Sequence, residues 1–490
     1  MRAVPAVGWA AFLVLAVVGV MIAAGAPSSP ITMIAILIAV LFAYRYPVAT
    51  YSVLVALVPA AGVTISVSTG ALEFGERAFG GSIDVFVVEV VAMVLMIAWA
   101  TKIVWLWGQR HDPNWRPWFP LALPVAALVA AHVVSAFSSF QPDVLLVVKY
   151  ALRPVLWVYL VYVALTVNMV QSSRTLRTVL GVVTGTGIAA AVMGLISLAV
   201  PDASGGLFPR ARPLPFLGVM PLGDNHNQLG EWLCVTIPIS LALLLLSPAP
   251  TAPSDRVQAH RQFRLFLLVG IGAQILAALL TFARTAWIVL FVEAGLAAWL
   301  VWRQEAARWM RTALVGIVLL LPLALAMFAF SSTPLVEGST STRLMMSQIA
   351  LTLWSASPII GMGAGTFIDR IGATQLFLFE YGAPLESHGI LQKLLAETGI
   401  VGLAAMGWVV WRIVRYVWIV RRRLYGWAHT GRAPLATAQA FTIIAIAVAG
   451  AFTYQLFSTS YWSGKMWLPV GILFAAGHVL GAAHKHPDAS

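Results

Sequence analysis

RLFLLVGIGAQILAALLTFARTAWIVLFVEAGLAAWLVWR, residues 264–303, carries charge only at its two ends, at Arg284 and at Glu293. An apolar run of this length is twice what one helix needs to cross a bilayer, and in lipid each crossing must satisfy its own backbone polar groups, which a helix does. Arg284 divides the run into helices over 264–283 and 285–303, without a Gly or Pro at the turn. The stretch thus reads as a helical hairpin in a membrane.

Comparable stretches recur along the chain, which is 60% hydrophobic and 10% charged, against roughly 45–50% and 25% for a soluble domain. Spans are expected at 7–25, 31–44, 48–66, 83–107, 119–137, 144–168, 177–200, 228–247, 264–283, 285–303, 312–331, 388–420, 436–458 and 464–482. The fold class is all-α, a polytopic bundle of about fourteen transmembrane helices with a long periplasmic loop carrying short helices. Alternating ten-residue segments of the β-barrel kind are absent. The segment 7–25 reads as a first span, since Pro27 follows its small-residue end and opposes signal cleavage. The single Cys234 excludes an internal disulfide framework.

The net charge of +12 is assigned to cytoplasmic loops rather than to nucleic-acid binding. Lys102, Arg110 and Arg116, then Arg174 and Arg177, Arg256, Arg261 and Arg264, Arg303, Arg308 and Arg311, and Arg421, Arg422 and Arg423 fall in alternate loops. Loops 67–82, 201–226 and 332–386 then face outward, and both termini lie inside. The long loop 332–386 exceeds ordinary connections, and its apolar stretches indicate an ordered cap on the membrane.

Ionisable residues within spans are functional candidates. Lys149 and Arg153 share a face of the sixth span, Glu89 and Glu231 lie in outer halves, and Glu293 lies mid-span. Arg284 reads either as a snorkelling anchor or as a phosphate-binding guanidinium. Of nine histidines, His226 and His388 stand at outward-facing helix starts. His388 and Gln392 share one helical face, while Lys393 and Glu397 form an interfacial i, i+4 pair. Gly399 and Gly402 are expected to allow close helix packing. The run Gly361, Gly363, Gly365 lacks the lysine of a phosphate loop. The group Asp224, Asn225, His226 lacks a second acidic cluster, and no metal site is assigned.

Four blocks together resemble the O-antigen ligase and polysaccharide polymerase superfamily of bacterial inner-membrane glycosyltransferases. They are GDNHNQLGEWL (223–233), LLTFARTAW (279–287), STRLMMSQIALTLWSASPIIGMGAGTF (341–367) and ESHGILQKLLAETGIVGL (386–403). The second resembles the family's Ser-Arg block with Ala283 in place of Ser. The third resembles its Arg-bearing loop helix and P-x-x-G-x-G-x-G-x-F turn. The fourth resembles its H-N-x-x-L-x-x-L-x-E-x-G-x-x-G block with Gly389 in place of Asn. Residues 1–219 and 411–490 then flank a catalytic region 220–410 as N- and C-terminal transmembrane helices.

The resemblance implies transfer of a glycan from undecaprenyl pyrophosphate to an acceptor sugar hydroxyl at the periplasmic face. The acceptor is lipid A core for a lipopolysaccharide ligase, or a growing glycan for an O-antigen or exopolysaccharide polymerase. The expected partners are that donor, that acceptor and membrane lipids, with no cofactor, no metal and no nucleic acid. His388 is the expected general base. Arg284 and Arg343 are expected to hold the pyrophosphate, with Arg210, Arg212 and Arg153 as further cations. His226, Asn227, Gln392 and Glu231 are expected to support the acceptor. A secondary transporter or flippase centred on Glu293 is the reading from another class. A peptidoglycan polymerase using Asp369 or Glu380 is a third.

Overall fold

The computed structural model describes residues 30–60, 64–68, 82–109, 117–138, 148–200, 209–215, 220–223, 225–247, 254–303, 334–375, 377–378, 386–458 and 462–482. Expected spans 7–25 and 312–331, with Asp224 and Glu380, lie outside them. The described chain is helical apart from one two-stranded ribbon. Eight of its helices are long and apolar enough to cross a membrane, or nine with one bent pair counted as a span.

The bent pair is α1 (Pro30–Arg45) and α2 (Pro47–Leu57), whose axes turn through 113° at Tyr46. The sequence suggests two separate spans here; instead Pro47 starts α2, where its missing N–H removes no helical bond. Helix also stops at Leu57 rather than at 66. Beyond it β1 (Thr64–Ser68) pairs antiparallel with β2 (Ser82–Phe86), matching Thr64 with Phe86 and Ser68 with Ser82. Thr64-Ile-Ser-Val-Ser68 alternates at period two, the spacing of a strand, although its composition blends with the apolar run before it.

The remaining spans fall close to their expected places. They are α3 (Val87–Gln109), the shorter α4 (Ala122–Ser138), and a π-helical stretch (Val148–Trp157, Leu160–Ala164) that runs into α5 (Leu165–Met169). Pro154 sits inside the π-helical part, where it cannot donate to the helical ladder. Then come α6 (Ser173–Ser197), α7 (His226–Leu246), α8 (Ser254–Leu280) and α9 (Arg284–Leu300). After α10 (Pro334–Ala356) and the short α11 (Phe367–Gly372) follow α12 (Ile390–His429), α13 (Leu435–Gln455) and α14 (Gly464–Ala482).

Helices α7, α13 and α14 form the centre. In the apolar stretches of α7 and α14, 83% of residues are buried, against 28% in α8, which faces outward. A polar clasp joins α7 to α8: Thr236 Oγ1 donates to Gln274 Oε1 at 2.7 Å, and Gln274 Nε2 donates to Ser240 Oγ at 3.1 Å. It spans the turn at Pro238, where the ladder of α7 is interrupted.

Helix α9 fixes two opposite faces. It starts at Arg284 and, roughly 25 Å away at 1.5 Å per residue, ends where Arg421 donates to the Leu300 carbonyl at 3.0 Å. Arg421, Arg422 and Arg423 thus mark the face opposite Arg284.

Helix α12 is broken at Gly399, with φ 61° and ψ −157°. Those angles lie in a region open essentially to glycine alone. The segment after α10 docks on this break, so that Ile400 N–H donates to Pro358 O at 3.0 Å, Val401 N–H to Ile359 O at 3.1 Å, Met362 N–H to Ala396 O at 2.9 Å and Gly363 N–H to Glu397 O at 3.1 Å. Gly361 makes the reciprocal approach, since a Cβ there would lie 2.2 Å from the Glu397 carbonyl. Gly399 therefore serves a helix break closed by another segment, not the helix packing inferred from sequence. At Gly399 a Cβ would stand 2.4 Å from the Ile359 oxygen. Gly399→Ala is expected to lose about 3 kcal/mol or more, measurable as a lowered melting temperature of the detergent-purified protein.

Candidate functional site

Arg284 is placed by a strained turn. Phe282 adopts φ 53°, a left-handed backbone that is uncommon for an aromatic residue. The Ala283 N–H donates to Thr281 Oγ1 at 3.2 Å, and Trp287 Nε1 reaches back to the Leu279 carbonyl at 3.1 Å. The helical hairpin thus closes without Gly or Pro and sets Arg284 as the first residue of α9. Ala283 precedes it with no side-chain cap, where the Ser of the resembled block would supply one.

Arg210 and Arg212 come to the same end. The Ala211 N–H donates to the Leu280 carbonyl at 2.9 Å, and the Arg212 N–H to Ser197 Oγ at 2.9 Å. Arg210 is exposed and Arg212 half-buried.

Arg343 lies on α10 and His388 just before α12, and a chain of hydrogen bonds ties the two together. Ser347 Oγ donates to the Arg343 carbonyl at 2.8 Å, and Gln392 Nε2 to Ser347 Oγ at 2.6 Å. Ser387 Oγ donates to the Gly389 carbonyl at 3.1 Å and stands 3.2 Å from Gln392 Oε1. Gln392, paired with His388 by helical spacing alone, is the link between the helices. Gly389 packs so closely that a Cβ would lie 2.8 Å from the Leu456 carbonyl oxygen. The Asn of the resembled block has no room in this backbone arrangement.

Glu397 anchors the glycine-rich turn. Its Oε1 accepts the Phe367 N–H at 3.1 Å, its carboxylate also bonds the Gly365 backbone, and Ser135 of α4 donates to its carbonyl. Lys393 lies 3.5 Å from Glu397 Oε1 and 2.6 Å from Glu386 Oε2. Lys393 and Glu397 form the i, i+4 pair expected, but with side chains 13% and 4% exposed the pair is buried rather than interfacial. Helical spacing shows that two residues can meet but not what covers them.

The charges of these elements act on one another. Arg343 is lowered from the ordinary arginine range by burial and then by the charge of Arg284, with Tyr454 opposing. His388 is lowered by burial and then by Arg343, with Glu386 opposing. Arg284, Arg343 and His388, on three separate elements, therefore bear on one another by charge, and burial together with Arg343 disfavours the protonated imidazole.

Asn227 and His226 border this neighbourhood through α7. Asn225 Oδ1 caps the helix by accepting the Asn227 N–H at 2.9 Å, and Tyr454 donates its hydroxyl to the Asn227 carbonyl at 2.6 Å. Tyr454 is buried on α13, and nothing in its local sequence marks it as a site residue. Two expected residues have other work. Glu231 is 2% exposed, accepts from Gln455 Nε2 at 2.6 Å and faces Lys465 at 3.4 Å. It joins α7, α13 and α14 inside the bundle and offers no surface to an acceptor. Arg153 is matched by Glu89, with Nη2 to Oε2 at 2.8 Å, and lies over the Phe86 ring. Its charge is already balanced. Among the described residues no group of three or more His, Cys, Asp or Glu side chains is arranged to hold a metal.

Residues 267–407 match the family described as O-antigen ligase. This region belongs to the O-antigen ligase and polymerase superfamily. No curated protein matches the sequence. The ligase-family region includes Arg284, Arg343, His388 and Gln392, together with the glycine turn and the α12 break. Arg210, Arg212, His226, Asn227 and Tyr454 come from outside it.

Proposed function

We propose that this multi-pass membrane protein is a glycosyltransferase of the bacterial inner membrane. It moves a glycan from undecaprenyl pyrophosphate to an acceptor sugar hydroxyl at the periplasmic face. The observation that carries the reading is the hydrogen-bond chain through Ser347, Gln392 and Ser387 that ties the helix of Arg343 to the segment of His388, with Arg284 at the start of α9 bearing on Arg343 by charge. Two half-buried guanidinium groups repel one another, and a doubly charged diphosphate between them turns that repulsion into binding. A sugar pyrophosphate is already a good leaving group, so the remaining tasks are to hold its growing negative charge and to deprotonate an alcohol. The arginines suit the first task. Neutral His388 suits the second, with direct displacement inverting the anomeric centre. Arg210 and Arg212 extend the positive rim, and His226 and Asn227 line the acceptor side.

Orientation follows from charge. The face carrying Arg421, Arg422 and Arg423, opposite Arg284, is the basic one, as cytoplasmic faces are. His388 and the arginines then open to the periplasm, where carrier-linked glycans are consumed.

Ligase and polymerase use the same base and the same cations and differ in acceptor. The test is incubation of the purified protein with a defined carrier-linked oligosaccharide, with and without lipid A core. Glycan on lipid A core identifies a ligase, and lengthened carrier-linked glycan without it identifies a polymerase. Product in neither case overturns the proposal.

One observation favours transport instead. Glu293 is 5% exposed, packs against Gly450, and neither of its carboxylate oxygens has a hydrogen-bond partner among the described residues. Loss of function in Glu293→Gln combined with full function in His388→Ala would favour that reading.

A further inference from the structure

The proposed base stands among cations. Arg343 on α10 bears on His388 by charge and is tied to its segment through Ser347 and Gln392, and Arg284 at the start of α9 bears on Arg343. An imidazole in that field takes a proton against repulsion, because imidazolium adds a third positive charge to the neighbourhood. Glu386 lies two residues before His388 and acts on it in the sense opposite to Arg343.

That carboxylate is held from both sides. Its Oε1 accepts the Ser387 N–H at 2.8 Å, and its Oε2 accepts Lys393 Nζ at 2.6 Å. Lys393 is shared with Glu397 at 3.5 Å, and Glu397 is bonded to the Phe367 backbone at 3.1 Å. A ladder of alternating charge, Glu397 to Lys393 to Glu386, thereby runs from the docked glycine turn to the residue beside His388. Lys393 and Glu397 lie on the buried side of α12 before its break, so the negative charge is fixed to a rigid part of the fold. A surface carboxylate free to reorient in water would not balance a half-buried imidazolium in this way.

We infer that Glu386 is a positioning residue for His388, stabilising the imidazolium that forms when His388 takes the acceptor's proton, and that Lys393 holds Glu386 for this task. The inference rests on the glycosyl-transfer reading. In that step the acceptor oxygen bonds to the anomeric carbon, and the bond from that carbon to the pyrophosphate oxygen breaks. Its electron pair leaves on the pyrophosphate, the acceptor proton passes to His388, and Glu386 gains and loses nothing. The titratable and charged groups bearing on His388 are Arg343 and Glu386 directly, Arg284 and the neutral phenol of Tyr454 acting on Arg343, and Lys393 paired with Glu386.

The test follows His388 without turnover. Full-length protein in detergent is treated with diethyl pyrocarbonate across a pH series, and carbethoxylation of His388 is read by peptide mass spectrometry; kcat and KM for transfer are measured in parallel. Glu386→Gln should move the His388 inflection to lower pH by about half a unit or more and lower kcat about tenfold, with donor KM unchanged. Glu386→Asp should restore part of both. Lys393→Met releases the Glu386 carboxylate and should move the inflection in the same direction as Glu386→Gln by a smaller step. The partly exposed Glu386 makes its Gln variant safe to fold should the Lys393 variant fail. An unmoved inflection in Glu386→Gln overturns the inference even if transfer is normal. A moved inflection in a protein with no transfer to any acceptor leaves the charge coupling standing and overturns the catalytic role together with the glycosyltransferase reading.

Discussion

His388→Ala is expected to lower transfer by about 10²- to 10⁴-fold while leaving binding of the carrier-linked donor unchanged. The separation follows from where the charges are. Donor binding in the proposed site belongs to Arg284 and Arg343, which stand on α9 and α10 and keep their positions without the imidazole. Deprotonation of the acceptor is proposed for His388, whose segment is tied to α10 through Gln392 and Ser347 and not through the imidazole itself. Single-turnover transfer and equilibrium binding of labelled donor, measured on the same preparation, check the two halves. Equal loss of both would place His388 in binding or in folding. Full transfer would remove the base from the mechanism.

Arg343→Gln is expected to act twice. It removes one of two cations proposed to hold the leaving pyrophosphate, so transfer should fall by about 10²- to 10³-fold, with donor KM rising more than acceptor KM. It also removes the charge that, after burial, lowers His388. With that cation gone the imidazole holds its proton to higher pH. The acid limb of the residual activity should therefore move upward, toward the ordinary histidine range. A pH–rate profile of kcat/KM reads this directly. The shift is opposite in sign to that of Glu386→Gln, and a general loss of fold would produce neither.

The bundle was legible because most of its spans are apolar for eighteen residues or more, which lipid allows only a helix to satisfy. Where the chain leaves that rule, the sequence was silent or misleading. The first three residues of the strand Thr64–Ser68 fall inside the expected span 48–66, because hydropathy alone does not separate them from the apolar residues before them. The run through Tyr46 and Pro47 is equally apolar on both sides, and hydropathy carries no information about a bend of 113°.

The candidate site was legible where a residue type is costly in its setting. Arg284 inside an apolar run and His388 at a helix start stand out for that reason, and Arg343 became visible only through its block. Glu386 did not stand out, because a charged residue before a helix is ordinary in sequence, and Lys393 was legible only as the i, i+4 partner of Glu397; only the fold shows the ion pair between Glu386 and Lys393. Tyr454 was hidden for a different reason. It lies more than sixty residues beyond His388 in an apolar helix, and tertiary packing alone carries it to the Asn227 carbonyl. For Gly399 the sequence does not separate a glycine that permits packing from one that permits a break; its φ of 61° does.

The most direct measurement is a cryo-electron microscopy structure of the protein with an undecaprenyl-pyrophosphate-linked oligosaccharide bound. The account predicts the diphosphate within hydrogen-bond reach of Arg284 and Arg343, with the anomeric carbon turned toward His388. A diphosphate seated instead at the face of Arg421, Arg422 and Arg423, or away from both arginines, would contradict it.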